Sequence, residues 1–284
     1  MRSCFFAVLL IVQLSALAQQ KESFYDMEIP AVMKDSEAVN PDKAGNIIFL
    51  AQRVFTYNYT LSKNGRNYHY AVLQDERAKT DPAYQYVDWL AIPVDSIYQN
   101  PSVYPITAFQ LSVYKGNTSP DQTKTKYEYL NNNKRVFLGE RSTVTESPGR
   151  LIVQPAHSHG FIFTWFNPLP MVLLPLFPGK TWTQFFSVRN EDLKKAKIKY
   201  ESADGLLHLN MEYKVIGEVN LNTRLGVMFC RKIEASASGA LGTTFATFYF
   251  NEQWGFVKTE YRNLDGSELI YQLISVNDAE EMQK

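Results

Sequence analysis

Cysteine is almost missing from this sequence. There are two in 284 residues, and Cys4 lies within an N-terminal leader described below, so Cys230 alone is expected in the mature chain. A single cysteine closes no internal disulfide, and stability must then come from packing. Cys230 follows Val227, Met228 and Phe229, an apolar setting that suits an inert buried thiol rather than a nucleophile. Net charge is missing too: 29 Lys and Arg balance 29 Asp and Glu. No bulk field draws the chain to nucleic acid or to an anionic membrane surface. The one basic cluster, Lys194, Lys195, Lys197 and Lys199, lacks interleaved aromatics and reads as a solvated edge.

Catalytic signatures are absent as well. There is no Gly-x-Ser-x-Gly elbow, no His-Glu-x-x-His and no glycine-rich loop opening a helix. An uninterrupted membrane-spanning run is also lacking after the leader. The most apolar stretch, 161–178, is broken by Pro168, Pro170, Pro175 and Pro178. Each interior proline costs about 3 kcal/mol in a helix.

What is present begins at the N-terminus. Arg2 supplies a positive start, Phe5 to Leu17 is apolar apart from Gln13 and Ser15, and Ala16-Leu17-Ala18 has the small-x-small form of a cleavage site. Residues 1–18 therefore read as a secretory signal peptide. The run is shorter than the roughly 20 residues that span a bilayer. Cys4 precedes the apolar core, so it cannot be the lipidated first residue of a mature lipoprotein. The expectation is an exported product, periplasmic or extracellular, with no transmembrane span after cleavage. Beyond the leader, 19–46 reads as an extended lead-in, 47–276 as one β-rich domain and 277–284 as a polar tail.

Period-two alternation dominates that domain. Phe55, Tyr57, Tyr59 and Leu61 share one face of a strand, Asn64-Gly65 is the preferred pair for a tight hairpin turn, and Tyr68, Tyr70 and Val72 return. Residues 75–105 are punctuated by Pro82, Pro93, Pro101 and Pro105 and read as loops, edge pieces and a short helix. Strands are expected at 108–114, 126–130, 135–145, 151–154 and 180–188. In Leu207 to Val215 every odd residue is apolar and every even one polar, so one face is buried and the other wet. Strands follow at 227–237, 243–250, 256–262 and 268–276. The fold class is mostly β, an antiparallel meander curved into an open or half-closed barrel with few short helices. Within 161–178, a strand is expected to end near Phe166 and lead into an extended apolar connection. That connection is read as a plug at one end of the core, in preference to a mouth for an apolar ligand.

Three passages carry a family resemblance. They are Pro178-Gly179-Lys180-Thr181-Trp182, then Tyr213 to Glu218 with Phe229 to Glu234, and finally Tyr249 to Lys258 with Glu260 and Tyr261. Over about 151–276 the chain resembles an uncharacterised family of secreted bacterial β-rich proteins. It departs from the family's usual turn at Asn222 to Gly226. The resemblance implies a curved sheet like the half-barrel of periplasmic lipoprotein carriers. Its motifs are turn glycines and strand aromatics, and they carry over no catalytic residue.

Candidate sites are few. Trp165, Trp182 and Trp254, with Leu173 and Leu174, could line an apolar pocket, since ligand pockets are walled by hydrophobic and aromatic groups, but an ordinary barrel core is the preferred reading of the tryptophans. His157 and His159 have a metal-like i, i+2 spacing, but a zinc site needs a third and usually a fourth ligand. His69 and His208 are isolated. Asp75, Glu76, Asp88, Glu252 and Glu260 offer no evident carboxylate pair for hydrolysis. No cofactor is expected. The function expected is exported and non-enzymatic, binding an apolar ligand or an envelope protein partner. An envelope structural protein with a filled core is the first alternative, and a hydrolase on unidentified carboxylates the second.

Overall fold

The computed structural model describes residues 46–73, 89–96, 103–119, 122–131, 134–189, 193–194, 196–200 and 202–278. The signal peptide, nearly all of the lead-in and most of 75–105 lie outside the described residues.

Among the described residues, fifteen strands form one antiparallel sheet. In chain order they are β1 (Val54–Lys63), β2 (Arg66–Leu73), β3 (Trp89–Pro93), β4 (Val103–Pro105), β5 (Ala108–Ser119), β6 (Gln122–Asn131), β7 (Lys134–Ser147), β8 (Arg150–Val153), β9 (Met171–Leu173), β10 (Thr181–Arg189), β11 (Leu206–Thr223), β12 (Gly226–Gly239), β13 (Gly242–Asn251), β14 (Gly255–Arg262) and β15 (Glu268–Asn277). Twelve of them run β10-β11-β12-β13-β14-β15-β1-β5-β6-β7-β8-β9 and curl into a nearly closed barrel. The two ends of that path, β9 and β10, are consecutive in the chain, so the seam is bridged by residues 174–180. There the Lys180 ammonium donates to the carbonyls of Leu173 (2.6 Å) and Pro175 (2.8 Å). Gly179 N–H donates to Val215 O, and Val215 N–H to Lys180 O.

The expected hairpin at 53–72 forms, with Asn64 and Gly65 both left-handed (φ 53° and 74°), as a type I′ turn requires. Phe55, Tyr57, Tyr59 and Leu61 all face the core. The hairpin then splays. β1 pairs β2 only over Leu61 to Lys63, and lower down it pairs β5. β2 peels away to pair β3 and β4. The Tyr59 hydroxyl fills the gap, accepting from Tyr70 N–H (2.8 Å) and donating to Ile106 O (2.7 Å). The 207–215 facing also holds: Leu207, Leu209, Met211, Tyr213 and Val215 are buried, while His208, Glu212 and Lys214 are exposed. β11 runs eight residues past the expected end, to Thr223, as one side of a two-stranded arm with β12.

Segment 161–166 departs from its expected strand. His159–Phe166 is a 3-10 helix lodged inside the barrel. A short continuous apolar run does not by itself distinguish a buried strand from a buried helix. Proline at 168 and 170 stops the helix, and the chain then enters β9. From Phe161 to Val172 the chain is buried, with only Phe163 half-buried. Phe161 is fully buried, with ring centroids of Tyr70 at 4.9 Å, Tyr59 at 5.1 Å and Tyr129 at 5.4 Å. Barrel side chains satisfy the plug's backbone. Thr244 donates to Phe166 O (2.6 Å) and Tyr213 to Leu169 O (3.0 Å), while the helix's own Thr164 donates back to Ala156 O (2.7 Å). Irregular backbone inside a barrel is tolerable only when its polar groups are paired in this way.

Candidate ligand cleft

Where β2 peels off the barrel, the wall opens into a cleft of about 670 Å³. Its floor is the start of the 3-10 helix, and its sides come from β1, β2, β3, the β14–β15 turn and the short stretch at 196–197. Leu61, Tyr68, Tyr70, Trp89, Ile162 and Phe163 give it apolar walls. Gly160 is needed at the floor: a Cβ there would lie 2.4–2.7 Å from the Tyr70 ring. Its absence lets the helix seat directly against that ring.

The polar side of the cleft is organised around Asp265. Lys63 Nζ donates to its Oδ2 at 2.8 Å, while Ser267 N–H (3.0 Å) and Ser267 Oγ (2.6 Å) donate to Oδ1. Burial alone would raise this carboxyl's pKa. The bonds from Lys63 and Ser267 outweigh burial and hold it below the ordinary value. The network continues inward, from Asn263 Nδ2 to Ser267 Oγ (3.0 Å) and from Asn167 Nδ2 to Asn263 Oδ1 (2.6 Å). The ion pair at the cleft is thereby tied to the residue that ends the plug helix. Burial, reinforced by the Asp265 charge, pushes the Tyr70 phenol well above its usual range, so it stays neutral.

His157 and His159 both line this cleft, but not on a strand. His159 opens the 3-10 helix in a left-handed conformation (φ 49°), and its ring stacks on Trp89 at 5.0 Å. His157 packs edge-on against Trp165 at 4.3 Å. Its Nδ1 lies 2.9 Å from Pro155 O, which can only accept, so Nδ1 carries the hydrogen. The buried Glu140 stands behind it, accepting from His157 N–H at 2.8 Å. Among the described residues, no group of three or more His, Cys, Asp or Glu side chains is arranged to hold a metal ion.

The other expected site residues lie elsewhere. Trp165 is buried and stacks on Phe186 at 5.4 Å; Trp182 is buried and stacks on Tyr213 at 5.1 Å. Leu173 and Leu174 are half-buried at the β9–β10 seam. Trp254 sits in the β13–β14 turn with the Arg53 guanidinium 5.5 Å from its ring. The cleft brings none of these five together. Of the candidate carboxylates, Glu252 is exposed in a turn, and Glu260 is ion-paired with Lys258 (2.6 Å) on the barrel's outer surface. Asp75, Glu76 and Asp88 lie outside the described residues. Sequence reasoning missed Lys63, Tyr68, Tyr70, Trp89 and Asp265 as cleft residues. Trp89 falls in the proline-rich stretch, and its aromatic character there was the one available signal.

No protein-family model and no curated protein sequence matches the chain. Solved structures offer loose likenesses. A Bacteroides fragilis protein described as exported, with a YmcC-like fold, is 10% identical with a TM-score of 0.46 over 81% of this chain and 98% of its own. A protein from Parabacteroides distasonis described as a lipoprotein gives 9% and 0.45 over 81% and 97%. The hypothetical lipoprotein YmcC from Escherichia coli gives 9% and 0.31 over 77% and 84%. Likenesses this distant establish no function for the chain. Among the described residues, no helix is long and apolar enough to cross a membrane.

Proposed function

We propose that this is an exported, non-catalytic binding protein that takes an apolar ligand in the cleft beside β2. The observation that carries this reading is the cleft itself. At about 670 Å³ it falls in the size range of small-molecule sites, with aromatic walls and a few converging polar groups. It touches the apolar 161–178 segment at Ile162 and Phe163. Export rests on the signal-like residues 1–18. The second reading, an envelope structural protein, is favoured by the barrel interior, which Phe161 and the tyrosines around it fill.

Titration with the neutral fluorescent probe N-phenyl-1-naphthylamine separates the two. Saturable binding is expected in the wild type. It should be lost in Ala91→Trp, which fills the cleft from an exposed position on β3, and in Phe163→Glu. Ala91→Trp should leave the melting temperature unchanged. A folded wild type that binds no probe, or a folded Ala91→Trp that binds normally, would reject the cleft as a ligand site and leave the structural reading.

A further inference from the structure

We infer that the ligand's polar end is an anionic oxygen group, a carboxylate on a hydrocarbon chain, held by Lys63 and Lys197. This rests on the cleft being a ligand site, and it follows from what the cleft offers and what it has already committed. Both oxygens of Asp265 are engaged, Oδ2 by Lys63 and Oδ1 twice by Ser267. The carboxylate therefore has little acceptor capacity left for a guest. Lys63 has three N–H donors and gives one to Asp265, so two remain for the cleft. Lys197 also lines the cleft and is exposed, and among the described residues its ammonium has no carboxylate partner.

The remaining charged or titratable side chains facing the cleft are His157 and His159, whose imidazoles can donate or accept, and Tyr68 and Tyr70, whose phenols can do the same. Glu140 stands behind His157 and does not line the cleft. Spare donors at Lys63 and Lys197, in a cleft also lined by Tyr68, Tyr70, Trp89, Ile162 and Phe163, describe an amphiphile with its chain against the aromatics. Charge-assisted hydrogen bonds from ammonium to carboxylate are about twice as strong as neutral ones, so they distinguish an acid from an alcohol of equal length.

The test is displacement of N-phenyl-1-naphthylamine by dodecanoate, dodecanol and acetate. Dodecanoate is expected to displace the probe about tenfold better than dodecanol, a difference of about 1.4 kcal/mol. Acetate should fail, because the head group alone lacks the apolar contact. In the double variant Lys63→Gln, Lys197→Gln, shown to be folded by a cooperative melt, the ratio should fall towards one while the probe still binds. Equal displacement by acid and alcohol in the wild type would overturn the inference and leave the cleft as an apolar site. Displacement by acetate as strong as by dodecanoate would also overturn it. An unchanged ratio in the folded double variant would take the role away from these lysines. Absence of probe binding in the wild type would instead reject the cleft itself.

Discussion

From β11 to β15 every strand pairs its neighbour in the chain, with thirteen residue pairs between β11 and β12 and five between β14 and β15, and along β13 and along β11 as far as Val215 buried residues alternate with wetter ones. The region around β2 is built differently. Its strands β3 and β4 are five and three residues long, β2 abandons β1 after three pairs, and a 3-10 helix takes the place of a strand. Regular pairing leaves the meander's inner face closed, because every second side chain meets the core. Broken pairing leaves backbone and rings to be matched one by one, by Tyr59, Asn167 and Asn263, and it leaves room. The ligand cleft lies where the ladder is interrupted.

The largest expected effect tests the regular half. Met211 is fully buried on β11, and Met211→Asp would place an unpaired charge there. It should cost several kcal/mol, on the order of 4, or prevent folding. Urea unfolding of this variant beside its neighbour measures the contrast. An intermediate effect tests the irregular half. Gly160→Ala would drive a methyl into the buried Tyr70 ring, and overpacking of this kind costs about 1–3 kcal/mol. Gly160→Ala should also weaken probe binding, since Tyr70 walls the cleft. A neutral Gly160→Ala would mean that the helix does not seat against Tyr70. The smallest effect returns to β11. Glu212→Ala, on the exposed face, should stay within about 0.5 kcal/mol of wild type. Similar losses for Met211→Asp and Glu212→Ala would break the assigned facing.

What could be read from the sequence follows local patterning in both regions. Strict alternation at 207–215 and the Asn64-Gly65 turn specify a local conformation, and both appear where expected. The 3-10 helix was misread because Phe161 to Phe166 has six residues with only Thr164 polar, a pattern that fits any buried element. The far half of β11 was not anticipated because past Val215 the burial contrast fades and both faces are partly wet. The cleft was illegible for another reason. Lys63, Trp89, His159, Lys197 and Asp265 come from five separated stretches, and only the peeling of β2 gathers them.

The four tryptophans provide the most direct measurement. Trp89 lines the cleft; Trp165 and Trp182 are packed in the core, and Trp254 lies in the β13–β14 turn. In a proton–nitrogen NMR titration with dodecanoate, the Trp89 indole N–H is expected to shift. The Trp182 and Trp254 signals should stay fixed, and Trp165 should move at most slightly through His157. A shift of Trp182 or Trp254 with Trp89 unmoved would contradict the cleft and place the ligand along the β9–β10 seam or at the β13–β14 turn.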